Sequence, residues 1–377
     1  MKQGHTIEQL TNELEFQSEN KRDFIINTTK LKVGPSLDSN FGEVIFSVPG
    51  NKTFRYSMSE HMLGQLSVHA GVPLALVKSM LIGTDKEKQV ITKLLTVRLQ
   101  ENESIRMIRT MGRFWDVPYA RAFLSDRYKE IDNYSVLNAI LPVVRANKDL
   151  KIMSASVSET NLYLKIINES SKAEVDVGDV VKAGITISNS EVGAGALRIN
   201  FLLYRLSCKN GATIAEGSQL RKNHVGRRHR GVGYSWEVKP EDSENVAAFL
   251  AQVVEIANDV LGDQKFFQDV VARMKITKFN VIKGDHKAIL GAIGKRYGLL
   301  VHEQDAILKL LAKEDSMSQF GLINAITKYA GTSKVPSYDR ATQLEAVGGS
   351  LIDLPVPLWN QFAKLTNPEG VTNESAR

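Results

Sequence analysis

Cysteine is almost absent from this 377-residue chain, and several kinds of function go with it. The lone thiol, Cys208, permits neither an internal disulfide nor a thiolate-rich metal site. No apolar run approaches the ~20 residues that cross a bilayer. The opening MKQGHTIEQLTNELEF is polar and lacks the apolar stretch of a secretory signal, so a cytoplasmic location is expected. Enzyme signatures are missing as well. SNSEVGAGALRIN does not give the dinucleotide fingerprint, and LGAIGKRYG lacks the first glycine and the Ser/Thr of a P-loop. Neither H-E-x-x-H nor G-x-S-x-G occurs. His224 and His229 are five apart, would not share a helical face and have no carboxylate between them, which leaves a metal or nucleophilic site poorly supported. Neither a metal nor a cofactor is expected.

What remains is an ordinary folded composition, 43% hydrophobic and 24% charged, in a chain long enough for a large core and about two domains. The formal charge is +6, and its placement matters more than its size. Residues 205–239 hold eight Lys or Arg against two acids, Glu216 and Glu237, while the rest of the chain carries 40 of each sign. One window therefore accounts for the whole excess, a local electrostatic feature and not general basicity.

Periodicity and turn residues predict an α+β fold, an antiparallel sheet with packed helices followed by a helical C-terminal region. A short helix is expected near Thr6–Glu15, and Glu43–Val48 with Thr53–Tyr56 reads as a hairpin around Pro49-Gly50-Asn51. Ser57 or Ser59 then caps a helix, and Leu74–Leu81 begins another after Gly71-Val72-Pro73. This pair has the form of a helix-turn-helix, yet its second helix offers a DNA groove little beyond Lys78 and Ser79, which favours packing. Helix continues over Asp85–Leu95, Thr96–Arg109 contains β-type sequence, and a helix over Tyr134–Pro142 opens with Ser135. Strands are expected at Lys151–Ser156, Asn161–Ile167, Val180–Ser188 and Ala196–Ser207. Glu191–Gly195 reads as a tight corner and Asn210-Gly211 as a turn. After Pro240, helical patterns recur at Val246–Leu261, Phe266–Met274, His286–Arg296, Glu303–Ala312 and Ser318–Ala330. The expected division is an N-terminal segment and hairpin (1–56), a core (57–240) carrying a basic arm at 205–239, a helical region (241–366) and a loose tail (367–377).

The arm is the leading candidate for function. Arg205, Lys209, Arg221, Lys222, Arg227, Arg228 and Arg230, with His224 and His229, supply charge for phosphates, whose neutralisation releases counterions. Tyr234 and Trp236 offer faces on which unpaired bases stack, worth ~1–3 kcal/mol each, or else they pack in the core. Gly226, Gly231 and Gly233 allow close backbone approach to a strand. A second stretch joins the candidate surface through Arg113, Arg127 and Lys129. Arg106 and Arg109 lie nearby, although Asp116, Asp126 and Glu130 are available to pair with these arginines, and Trp115, Tyr119, Phe123 and Tyr128 suit a core equally well.

Several runs also carry a family resemblance. FLSDRYKEIDNYSVL, GDVVKAGITISNSEVGAGALRINFLLYRLSCKNG and FGLINAITKYA, with the earlier MSEHMLGQLSVHAGVPLALVKSML, resemble a phage and plasmid-like family known only as a domain of unknown function, number nine hundred thirty-two. The family's Arg-x-x-Cys-x-Asn-Gly element corresponds to Arg205–Gly211, and its basic continuation to Arg221–Arg230. The resemblance implies a mobile-element origin and brings no enzymatic residues with it. A more distant similarity, in element order only, is to phage single-strand annealing proteins of the RecT and Erf kind, which implies an oligomer holding DNA in a basic groove. The expectation is a non-enzymatic single-stranded-DNA-binding protein acting as a homo-oligomer. The alternatives are a host-interaction or inhibitory protein docking an acidic partner through the arm, and a nucleic-acid-processing enzyme.

Overall fold

The structure is a computed structural model. It describes residues 1–2, 4–48, 52–112, 118–128, 131–207, 209–214, 220–222, 236–238, 246–313 and 317–366, with the backbone alone at 220–222, 236–238 and 246–249. Thr6 opens α1 (Ile7–Asn20) with a reciprocal box: Gln9 N donates to Thr6 Oγ1 at 3.1 Å and Thr6 N to Gln9 Oε1 at 3.0 Å. Next come β1 (Lys21–Asn27), β2 (Lys32–Gly34), β3 (Glu43–Val48) and β4 (Lys52–Met58). Three helices follow, α2 (Glu60–Ala70), α3 (Leu74–Leu81) and α4 (Asp85–Glu101), then β5 (Ile105–Met111) and β6 (Tyr119–Ser125). Helix α5 (Asn133–Ala146) leads to β7 (Leu150–Val157), β8 (Leu162–Asp176), β9 (Asp179–Asn189), β10 (Leu197–Arg205) and β11 (Asn210–Ile214). Two short strands, β12 (Leu220–Lys222) and β13 (Trp236–Val238), precede α6 (Val246–Gly262) and α7 (Gln264–Thr277). The chain continues through α8 (His286–Tyr297), α9 (Val301–Leu311), α10 (Gln319–Ala330), α11 (Tyr338–Ile352) and α12 (Val356–Phe362). The α+β class with a helical C-terminal region is as the sequence predicts.

The strands form two sheets. The first runs β13-β1-β5-β6-β4-β3-β2 and is antiparallel except where β4 meets β6. Phe24, Phe46, Phe54 and Tyr56 cluster on it with neighbouring ring centroids 5.0–6.0 Å apart. Met62 and Leu66 of α2 and Ile91, Leu95 and Leu99 of α4 complete that core. A second cluster joins Ile25, Met107 and Leu124 to Val192 from the other half of the chain. Because both faces are covered, β1 buries four consecutive residues, Asp23 to Ile26. The α2–α3 pair packs as expected: Gly71 turns the chain at φ 66°, Leu63 and Val77 are fully buried, and Lys78 Nζ pairs with Glu60.

The second sheet runs β11-β10-β9-β8-β7, antiparallel throughout, with β12 continuing along the β10 edge beyond β11. One face carries Leu164, Ile166, Ile185, Ile187 and Phe201, and Phe201 meets Phe266 of α7 edge-on at 5.1 Å. On the alternate positions of β8, Lys165 reaches Glu345 of α11. Helix α11 lies so close to β11 that a Cβ at Gly349 would fall 2.0 Å from Thr213 O. Gly349→Ala is therefore expected to force backbone apart at a packed contact and destabilise by about 1–3 kcal/mol. Chemical denaturation measures this, and an unchanged midpoint would contradict the packing.

Two local expectations need correction. Asn210-Gly211 is not a turn: both residues begin β11, and the chain reverses just before them, where Lys209 takes φ 49°. Helix α5 starts at Asn133, ahead of Ser135, and extends past Pro142. Asp132 occupies its cap position without capping it, because the carboxylate turns to Lys21 and Arg109 instead.

Candidate nucleic-acid interface

The register of two three-residue strands locates the basic arm. Lys222, Arg221 and Leu220 of β12 lie opposite Leu197, Arg198 and Ile199 of β10 in the second sheet. Trp236, Glu237 and Val238 of β13 lie opposite Ile25, Phe24 and Asp23 of β1, at the edge of the first sheet. The arm thus departs from one sheet and arrives on the other. His224, Arg227, Arg228, His229, Arg230 and Tyr234 lie outside the described residues, as do Arg113 and Lys129. Arg221, Lys222 and Trp236 are placed by their backbone alone.

The remaining candidates are fully described. Lys209 and Arg127 are exposed. Arg205 is engaged within the fold: its Nε donates to Asp179 Oδ1 at 2.5 Å, and the guanidinium lies 5.2 Å from the Phe320 ring centroid. Arg109, read from the sequence as a neighbour of the binding surface, is 1% exposed. It bridges Asp23 and Asp132 at 3.0 and 3.3 Å, neither of them among the acids that adjoin it in sequence.

Arg109 belongs to a polar joint between the two sheets, which sequence reasoning did not anticipate. Its Nη1 donates to Glu191 O at 2.9 Å, in the tight corner after β9. Glu191 in turn accepts from Arg121 Nη1 at 3.1 Å through Oε2 and from Asn133 N at 2.6 Å through Oε1. Tyr128 Oη donates to Ser190 O at 2.8 Å, and Gln65 Nε2 donates to Val192 O at 2.8 Å. Ser190 Oγ accepts from Ala194 N at 3.0 Å and Gly193 takes φ 78°, so the corner is built as its Asn, Ser and Gly content predicts. Burial pushes the Asp132 carboxyl upward, but the charges of Arg109 and Lys21 outweigh it and hold the group below its ordinary value. The landing strand of the arm, β1, contributes both Lys21 and Asp23 to this joint.

Among the described residues, no group of three or more His, Cys, Asp or Glu could hold a metal ion. No helix among them is long and apolar enough to cross a membrane. A cleft of about 280 Å³ is lined by His5, Glu13, Gln17, Tyr119, Arg121 and Glu159, among others. Its two carboxylates do not suit a phosphate, and its one arginine is already paired with Glu191.

No curated protein and no solved structure matches this chain. Residues 122–344 match the family described as Domain of unknown function (DUF932). The match begins within β6 and ends in α11, taking in the Glu191 corner, the whole second sheet, the Arg205–Gly211 element and the arm. It extends over more than half of the chain, which therefore belongs to the DUF932 family.

Proposed function

We propose that this chain is a non-enzymatic single-stranded-DNA-binding protein of phage or mobile-element origin that grips DNA through the basic arm. One observation carries the reading: residues 205–239, which hold the chain's entire charge excess, are paired to one sheet through β12 and to the other through β13. Residues 223–235 contribute three arginines and no acid between these anchors. Anchored ends reduce the conformational entropy lost when such a segment closes on a strand. Arg221, Lys222, Arg227, Arg228 and Arg230 neutralise phosphates, while Tyr234 and Trp236 supply stacking faces for bases. Annealing in the host cytoplasm by an oligomer extends the same reading, since it requires strands held with base edges exposed and no bond chemistry. Arg205 is left out of the grip because Asp179 and Phe320 already occupy it.

The test is binding of a short labelled single strand, followed by fluorescence anisotropy. Replacing Arg227, Arg228 and Arg230 together with alanine is expected to weaken binding on the order of tenfold or more at low salt. Unchanged affinity in a variant with unaltered circular dichroism would overturn the site. A nuclease-treated pull-down that retained an acidic protein partner would instead support docking to a host surface.

A further inference from the structure

The Arg205–Gly211 element and the FGLINAITKYA stretch are far apart in sequence but meet in space. Asn210 Nδ2 donates to Thr327 Oγ1 at 2.7 Å, and Arg205 stacks over Phe320. Between them lies a cavity of about 10 Å³, lined by Asp179, Arg205, Asn210, Asn324 and Thr327 and walled by apolar residues such as Met274. Three buried polar atoms on its lining residues have no partner among the described residues: Asp179 Oδ2, Asn210 Oδ1 and Asn324 Nδ2. Leaving three such atoms unsatisfied would cost about 1–3 kcal/mol each.

We propose that this cavity is a binding site for one ordered water molecule, which joins the edge of the second sheet to α10. The size is close to the lower limit for a single water. The hydrogen-bonding sense also fits. Two of the three atoms accept and one donates, so a water that donates to Asp179 Oδ2 and Asn210 Oδ1 and accepts from Asn324 Nδ2 satisfies all three. The Asn210 amide has its sense fixed by the bond from its Nδ2 to Thr327, which leaves its oxygen for the cavity. A calcium or magnesium ion fits poorly, because it needs six or more ligands, mostly oxygen, and Arg205 already balances the charge of Asp179. The Arg-x-x-Cys-x-Asn-Gly element thereby acquires a structural role: it fixes the start of β11, the strand that β12 and the arm follow. This inference does not rest on DNA binding.

A high-resolution crystal structure of the full chain tests it directly. One solvent peak about 2.7–3.2 Å from the three atoms is expected. A dry cavity, or a peak with the short contacts and anomalous signal of a metal, would overturn the proposal. Water relaxation dispersion gives a second reading in solution: Asn324→Met, which fills the space, should lose one long-lived water relative to the parent chain. Should that variant fail to fold, Asn324→Ser keeps a hydroxyl donor and should retain the long-lived water. An identical dispersion amplitude in the parent and a folded Asn324→Met would contradict the site.

Discussion

Replacing Lys165 with methionine is expected to destabilise the chain by about 3–5 kcal/mol, and replacing Glu345 with leucine at the same time to recover most of that loss. Both side chains are 0% exposed, and Lys165 Nζ donates to Glu345 Oε2 at 2.6 Å. The ammonium also sits 4.6 Å from the Tyr338 ring centroid, and Tyr338 Oη lies 2.7 Å from Ser154 Oγ. Burial opposes the charge on Lys165, but Glu345 outweighs it and holds the ammonium above its ordinary value. A raised lysine contributes stability below its unfolded value and loses it only as pH rises through the folded one, so the ammonium keeps its charge at neutral pH. Removing one partner strands the other charge in an apolar interior, whereas removing both leaves hydrophobic packing between β8 and α11. Glu345 Oε1 has no partner among the described residues, which further limits what the pair adds over an apolar replacement. Urea denaturation of the two singles and the double provides the check. A single variant costing under about 1 kcal/mol, or a double whose loss equals the sum of the singles, would contradict this account.

The second large effect is expected at the joint between the sheets. Glu191→Ala should cost about 3–5 kcal/mol, and Glu191→Gln distinctly less. The alanine leaves the Arg121 guanidinium, 4% exposed, without its carboxylate and removes the acceptor for Asn133 N at the start of α5. Glutamine retains one oxygen for that backbone donor. The same joint carries a pH dependence through Asp132. A carboxyl held below its ordinary value contributes stability above the unfolded value and loses it as pH falls through the folded one, so the joint weakens in acid below the ordinary carboxylate range. Denaturation midpoints of the two variants supply the measurement, and equal losses for alanine and glutamine would place the effect elsewhere than in the ion pair.

These two sites also show what the sequence makes legible and what it hides. Helix α3 runs from Leu74 to Leu81 as predicted, and the β3–β4 pair falls where alternation and turn residues put it, because local signals suffice for both. Strand β1 carries no such signal. KRDFIIN begins with charges that read as surface, and Lys21 and Asp23 are neutralised by Asp132 and Arg109, about a hundred residues away. Likewise Arg121 interrupts the apolar pattern of β6 and is buried only because Glu191 meets it from the corner between β9 and β10. Helix α11 contains Gly348-Gly349, which locally argue against helix, yet the close approach to β11 requires a glycine at 349. The charge of the arm is evident from composition, whereas its anchoring on two sheets follows from pairings no local pattern encodes.

The most direct test of the arm's role is the salt dependence of single-strand binding by the parent chain and by the Arg227→Ala/Arg228→Ala/Arg230→Ala variant. For single strands the logarithm of affinity falls with the logarithm of salt concentration at a slope of about −0.7 per neutralised phosphate. Loss of three phosphate contacts should therefore flatten the slope by about 2. Parallel lines for the two proteins, or binding by the parent chain that does not respond to salt, would contradict the claim that these arginines hold the strand.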